Sequence, residues 1–179
     1  GPYAVNARVQ DRVHPHAERD IGQASPAIYA ASLQPGAEAK KANFADAIYL
    51  DPLTHTKIEE VGSANFFGIT HDNQFITPKS PSVLPSITNM SLRQIARDMG
   101  LVVEERHIPV EELESFEECG ACGTAAVISP IGYIYDMQTE KSYDYGEEVG
   151  KNCMELYTRL QDIQYGRAED KYDWCTVVL

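Results

Sequence analysis

Three short stretches of this 179-residue chain combine backbone and side chains suited to meeting a ligand. Ser86-Ile87-Thr88 stands just ahead of an apolar helical pattern, where free N–H groups and the positive end of a helix dipole make an anion site. Gly120-Ala121-Cys122-Gly123-Thr124 reads as a glycine-rich turn that lets backbone approach a ligand closely and adds the Thr124 hydroxyl. In Glu59-Glu60-Val61-Gly62, strand alternation sends the two carboxylates to opposite faces. The one turned inward needs a partner such as a protonated ring nitrogen. Water alone satisfies most helix starts and most glycine turns are only tight loops, so no stretch decides a function by itself.

Other chemistry has weaker support. Cys119-x-x-Cys122 matches the spacing of redox and zinc motifs, but no second cysteine or histidine pair stands at finger spacing and no thioredoxin-like pattern precedes it. His55, His71 and His107 are isolated and read as turn or surface histidines. No nucleophile elbow, phosphate-binding loop of nucleotide enzymes or dinucleotide fingerprint is present.

The elements that must position these stretches follow from periodicity and turn residues. Ser25-Pro26 caps a short helix through Leu33, Pro35-Gly36 interrupts it, and 38–43 adds a further helical stretch. Strands are expected at 47–50, 57–61, 64–70 and 74–77, a small meander closed by Asp51-Pro52 and His71-Asp72-Asn73. After a proline-rich loop at 78–85, Leu92, Ile95, Ala96 and Met99 form one helical stripe, capped by Asn89 or Ser91 and ended by Gly100. A strand at 101–108, a short acidic helix at 110–118 and strands at 125–128 and 131–135 follow. The last helix aligns Val149, Cys153, Leu156, Leu160 and Ile163 and stops at Gly166. Strand groups separated by single helices predict a mixed α+β (α/β) architecture, helices packed on a largely antiparallel or mixed sheet. The organisation expected is an irregular leader at 1–24, one domain at 25–166 and a tail at 167–179.

Composition narrows the class. With 43% hydrophobic and 23% charged residues the chain is an ordinary globular sequence, neither disordered nor collagenous. Twenty-seven acidic against 15 basic residues give a net charge of -12, which repels nucleic acid and anionic membranes, and no basic cluster offsets it. No apolar run reaches membrane-span length and no signal-peptide pattern opens the chain, so a cytoplasmic location is expected, with the four cysteines reduced.

Four segments, taken in order, carry a family resemblance: 48–52 (Ile-Tyr-Leu-Asp-Pro), 55–67 with its Glu-Glu-Val-Gly-Ser-Ala-Asn-Phe-Phe core, 84–88 (Leu-Pro-Ser-Ile-Thr) and 120–130 with Gly-Thr-Ala-Ala. Together they resemble the C-terminal half of a branched-chain amino acid aminotransferase, a fold-type IV pyridoxal phosphate enzyme. The resemblance runs from about Ile28 to Gly166 and implies the C-terminal domain of the D-amino acid aminotransferase-like fold. It implies that Tyr29 hydrogen-bonds the cofactor's phenolic oxygen and that Glu60 pairs with the pyridine nitrogen. Ile87 and Thr88 would bind the phosphate, and Thr124 and Ala125 would meet phosphate or substrate carboxylate.

The departures from the family pattern shape the expected function. The family's Schiff-base lysine lies five residues before that tyrosine, a position held here by Ala24, or by Ser25 with a one-residue gap, and no lysine precedes Lys40. A complete member also carries a smaller N-terminal domain with a phosphate-binding arginine, which this chain is expected to lack. The expectation is therefore the C-terminal part of a transaminase moving the amino group of leucine, isoleucine or valine to 2-oxoglutarate, inactive alone, with no catalytic residue of its own. Its expected partners are these amino acids and 2-oxo acids, and a second copy or an N-terminal domain on another chain. The alternative is a truncated pseudoenzyme serving as an interaction or weak phosphate-binding module.

Overall fold

A computed structural model describes residues 5–10, 33–176 and 178. The expected helix from Ser25, and with it Ala24, Ser25 and Tyr29, lies outside the described residues.

Valine, isoleucine and aromatic runs separated by short turns give ten strands in one sheet among the described residues. They are β1 (Val5–Gln10), β2 (Asp46–Leu50), β3 (Lys57–Val61), β4 (Ala64–Thr70), β5 (Gln74–Pro78), β6 (Val102–Arg106), β7 (Ile108–Pro109), β8 (Phe116–Gly123), β9 (Val127–Asp136) and β10 (Lys141–Asp144). The sheet is mixed as expected, with β1 parallel to both β2 and β9 and β5 parallel to β6. It also closes on itself. The order β4-β8-β9-β1-β2-β3 returns to its start through the β3–β4 hairpin, making a six-stranded ring with β5, β6, β7 and β10 as additions. Closure was beyond the local pattern because β1 lies in a stretch with no periodicity of its own, yet bridges β9 and β2.

Strand alternation divides the apolar side chains between the two faces of this ring. Ile48, Leu50, Ile58, Phe66, Cys119, Ala121, Ile131 and Ile134 fill one cluster drawn from around the ring, its interior. Phe67, Ile69, Phe75, Cys122 and Ile128 point outward and bury the helices. Of the helices α1 (Leu33–Lys41), α2 (Ile87–Asp98) and α3 (Lys151–Gln164), α2 and α3 are those, packing on each other and on β8, whereas α1 lies on β2, its Ala39 beside Ala47 and Tyr49. Most of the expected stripes are buried, Leu92, Ile95 and Ala96 on α2 and Cys153, Leu156, Leu160 and Ile163 on α3, while Met99 is the half-buried C-cap of α2 and half-buried Val149 precedes α3.

Several local expectations are corrected. Pro35-Gly36 does not interrupt α1, because a proline in the first helical turn gives up an N–H that has no intrahelical partner anyway. The cap of α2 is Ser86, whose Oγ accepts the Asn89 N–H at 3.2 Å, not Asn89 or Ser91. The acidic segment forms a 3-10 helix at Val110–Ser115 and then enters β8. Gly120 to Gly123 are strand residues rather than a turn, and the turn is Thr124 to Ala126, with Ala125 and Ala126 exposed. Glycine is needed at 120 because a Cβ there would lie 2.5 Å from the Phe67 ring.

The C-terminal tail is tethered: Asp98 at the end of α2 pairs with Lys171 at 2.8 Å and accepts the Tyr172 hydroxyl, and Tyr172 stacks on Trp174.

The start of α3 is capped from the sheet. Its own N-cap, Gly150, offers no side chain, and buried Glu118 on β8 instead accepts the backbone N–H groups of Asn152 (2.9 Å) and Cys153 (2.7 Å) and the Asn152 amide (2.9 Å). A Cβ at Gly150 would strike that carboxylate, at 2.2 Å. Glu118→Ala is expected to lower unfolding free energy by about 2–4 kcal/mol in urea denaturation, since it orphans three donors. A loss within fitting error would show that water caps the helix equally well.

Candidate functional site

The site is built on a bulge. Tyr49 pairs with Glu60 but Leu50 pairs with Ile58, so Glu59 is an extra residue in β3. A bulge breaks the two-residue period, which is why the expectation of opposite faces fails. Both carboxyls are buried, and both meet the loop that leads to α2. The Ser80 hydroxyl donates to Glu59, and the Leu84 N–H donates to Glu60 Oε1 at 3.2 Å. Asn65, across from Glu60 on β4, donates its amide to the Leu84 carbonyl at 3.1 Å.

Burial pushes the Glu60 carboxyl from its ordinary 4.5 up to about 8, against the pull of the Leu84 N–H and with a further push from neighbouring Glu59. Burial raises Glu59 as well, opposed by the Ser80 hydroxyl. A buried carboxyl raised in this way takes up its charge when a cation arrives. A protonated ring nitrogen against Glu60 is such a cation.

The anion end lies on the same loop. Ile87, 77% exposed, and half-buried Thr88 open α2, whose first turn contains no acidic residue. Among the described residues no acceptor takes the Ile87 or Thr88 N–H, as helix geometry leaves them. Strand register brings the third stretch alongside: Glu60 faces Asn65 and Asn65 faces Cys122, two residues before exposed Thr124. Two strand spacings separate Glu60 from Cys122, roughly 10 Å. Behind the first turn of α2 lies a cavity of about 180 Å³, lined by Asn65, Thr77, Ser80, Asn89 and Arg93 among others.

The three stretches read from sequence thus share one end of the outer sheet face. Sequence reasoning missed the residues that hold them there, Asn65, Thr77 and the Asn89 side chain. Polar residues inside apolar runs were the available signal. The cysteine spacing has a different outcome, since Cys119 joins the ring interior and Cys122 the helix-covered face of the same strand. Three residues of strand hold their backbones about 10 Å apart, too far for a disulfide. His55, His71 and His107 are exposed, as expected. Among the described residues no cluster of three His, Cys, Asp or Glu side chains is placed to hold a metal, and no helix is long and apolar enough to cross a membrane.

The family model for amino-transferase class IV matches residues 3–134. The chain belongs to the class IV aminotransferase family. It is 54% identical over 147 residues to a branched-chain-amino-acid aminotransferase of Helicobacter pylori, covering 82% of this chain and 42% of that protein. A Haemophilus influenzae enzyme of the same name is 51% identical over 158 residues, covering 84% and 46%. This class IV chain therefore spans less than half the length of these curated relatives. Among solved structures, the branched-chain amino acid aminotransferase of Thermobaculum terrenum in its PLP (holo) form superposes with TM-score 0.79 at 26% identity, covering 98% of this chain and 55% of that one. The Thermoproteus uzoniensis enzyme with norvaline gives 0.78 at 28%, covering 97% and 55%. The fold-type IV architecture expected from the sequence is the one these neighbours share.

Proposed function

We propose that this chain forms the cofactor-facing part of a pyridoxal phosphate-dependent transaminase for leucine, isoleucine or valine with 2-oxoglutarate. The observation that carries the reading is the single segment 84–88, which touches buried Glu60 at one end and opens α2 at the other. A ring nitrogen and a phosphate on one small molecule fit those two ends. The names of the curated relatives support branched-chain amino acids as substrates, and the PLP-form neighbour supports the cofactor.

In this reading Glu60 takes the ring-nitrogen proton into a charged hydrogen bond and keeps it there. The Ile87 and Thr88 N–H groups, at the positive end of α2, bind phosphate oxygens. Thr124 and the Ala125 N–H reach the phosphate or the substrate carboxylate, and Tyr29 donates its phenol to the cofactor ring oxygen. The chemistry the cofactor supplies when bound is an electron sink for the substrate's amino-bearing carbon. Moving the proton at that carbon needs an amine, and Ala24, or Ser25, stands where the family has it. The chain alone is therefore proposed to bind without turning over. A second copy or another chain that completes the site belongs to the same reading, and Ala24 favours the alternative of a phosphate-binding or interaction module.

Calorimetric titration with pyridoxamine 5'-phosphate tests the reading without needing a lysine. The expected result is saturable one-site binding, weakened about tenfold or more by Glu60→Gln, which removes the charge from that hydrogen bond. An unaltered chain that shows no saturation would overturn it.

A further inference from the structure

The stretch from Leu84 to Asn89 hangs from two consecutive residues of β4. Asn65 holds its beginning, through the amide donated to the Leu84 carbonyl. Phe66 holds its end through a relay: Asn89 Nδ2 donates to Thr77 Oγ1 at 2.8 Å, and Thr77 Oγ1 donates to the Phe66 carbonyl at 2.8 Å. Thr77 is 3% exposed and Asn89 6%, so neither bond competes with water. Asn89 also lies beside the Cys122 thiol, on the strand that leads into Thr124.

The rest of the contact between α2 and the sheet does not fix its first turn in this way. Leu92, Ile95 and Ala96 attach the helix through apolar packing, which has no preferred direction along the helix axis. The Arg93–Glu105 ion pair lies further along the helix. An N–H···O bond weakens steeply as it lengthens or bends, so a small slide of the first turn forfeits bonds from Ile87 and Thr88 to any anion.

We infer that Thr77 and Asn89 are a positioning pair, which fixes the first turn of α2 against β4 and so sets how tightly the site holds a phosphate group. The inference rests on the cofactor reading above. Neither residue touches the ligand; each acts through the helix backbone.

The test compares pyridoxamine 5'-phosphate with pyridoxamine, which share a ring but differ in the phosphate, on the full chain and on Thr77→Val, Thr77→Ser and Asn89→Ala. Thr77→Val and Asn89→Ala are expected to weaken the phosphate-bearing ligand by about tenfold to a hundredfold while leaving pyridoxamine nearly unchanged. Thr77→Ser, which keeps the hydroxyl, is expected to retain the unaltered affinity for both. Amide hydrogen exchange of the ligand-free proteins is a second readout, expected to speed up at 86–90 in Thr77→Val but not in Thr77→Ser. If the unaltered chain prefers pyridoxamine 5'-phosphate and the variants lose nothing, or lose both ligands equally, the positioning role is overturned and the cofactor reading stands. If the unaltered chain shows no preference for the phosphate-bearing ligand, the cofactor reading fails and the positioning role fails with it.

Discussion

Supplied with pyridoxal phosphate, leucine and 2-oxoglutarate, the chain is expected to release no glutamate above background. Borohydride reduction is expected to leave no single lysine labelled. Transamination needs an amine that both bonds the cofactor and carries the proton between substrate carbon and cofactor. No lysine occurs before Lys40, and Ala24 or Ser25 holds the position the family pattern reserves for it. Lys40 and Lys41 end α1 with side chains exposed to solvent. Removing a residue that acts as nucleophile and base together costs on the order of a millionfold in rate. Ala24→Lys is the matching gain-of-function variant, expected to give one labelled lysine at that position. Glutamate formed at a rate typical of an enzyme by the unaltered chain, with one lysine elsewhere labelled, would show a substitute amine and overturn that expectation.

Legibility in the sequence followed the range of the interactions. α2 and α3 were readable because Leu92, Ile95 and Ala96, and Cys153, Leu156, Leu160 and Ile163, repeat at helical spacing whatever packs on them. The strands from 46 to 78 were readable because short apolar runs alternate with turn residues. What depended on distant partners was not readable. Glycines 120 and 123 look like a turn until Phe67 is known to lie over Gly120, and Val5–Gln10 has no pattern until β2 and β9 flank it. The Glu59 bulge was hidden for the same reason, since it exists only in the pairing of β3 with β2. The three candidate stretches themselves could be named from residue type. Their convergence depends on the ring closing and on Asn65, Thr77 and Asn89, which no local pattern distinguishes from other polar residues.

Glu60→Gln is expected to make the ligand-free chain more stable at alkaline pH and to change little at pH 5. The Glu60 carboxyl stands near 8 in the folded protein against about 4.5 when exposed, chiefly because burial penalises its charge. A group raised in this way contributes its full stability below pH 4.5 and loses it as pH climbs through 8. Across that window the loss is about 1.4 kcal/mol per pH unit at most, so several kcal/mol separate the two proteins by pH 9. Urea denaturation at pH 5, 7 and 9 reads the difference, and the neutral amide of the Glu60→Gln variant is the reference that cancels other titrating groups. Glu59 adjoins, so Glu59→Gln is expected to move the transition of Glu60 downward by removing a negative neighbour. Saturating pyridoxamine 5'-phosphate is expected to reverse the order of stabilities at pH 9, because a protonated ring nitrogen favours the carboxylate that burial disfavours. Parallel stability curves for the unaltered chain and the Glu60→Gln variant would place the carboxyl in water. The same buried group that weakens the empty site at high pH would then no longer account for its affinity for a cationic ring.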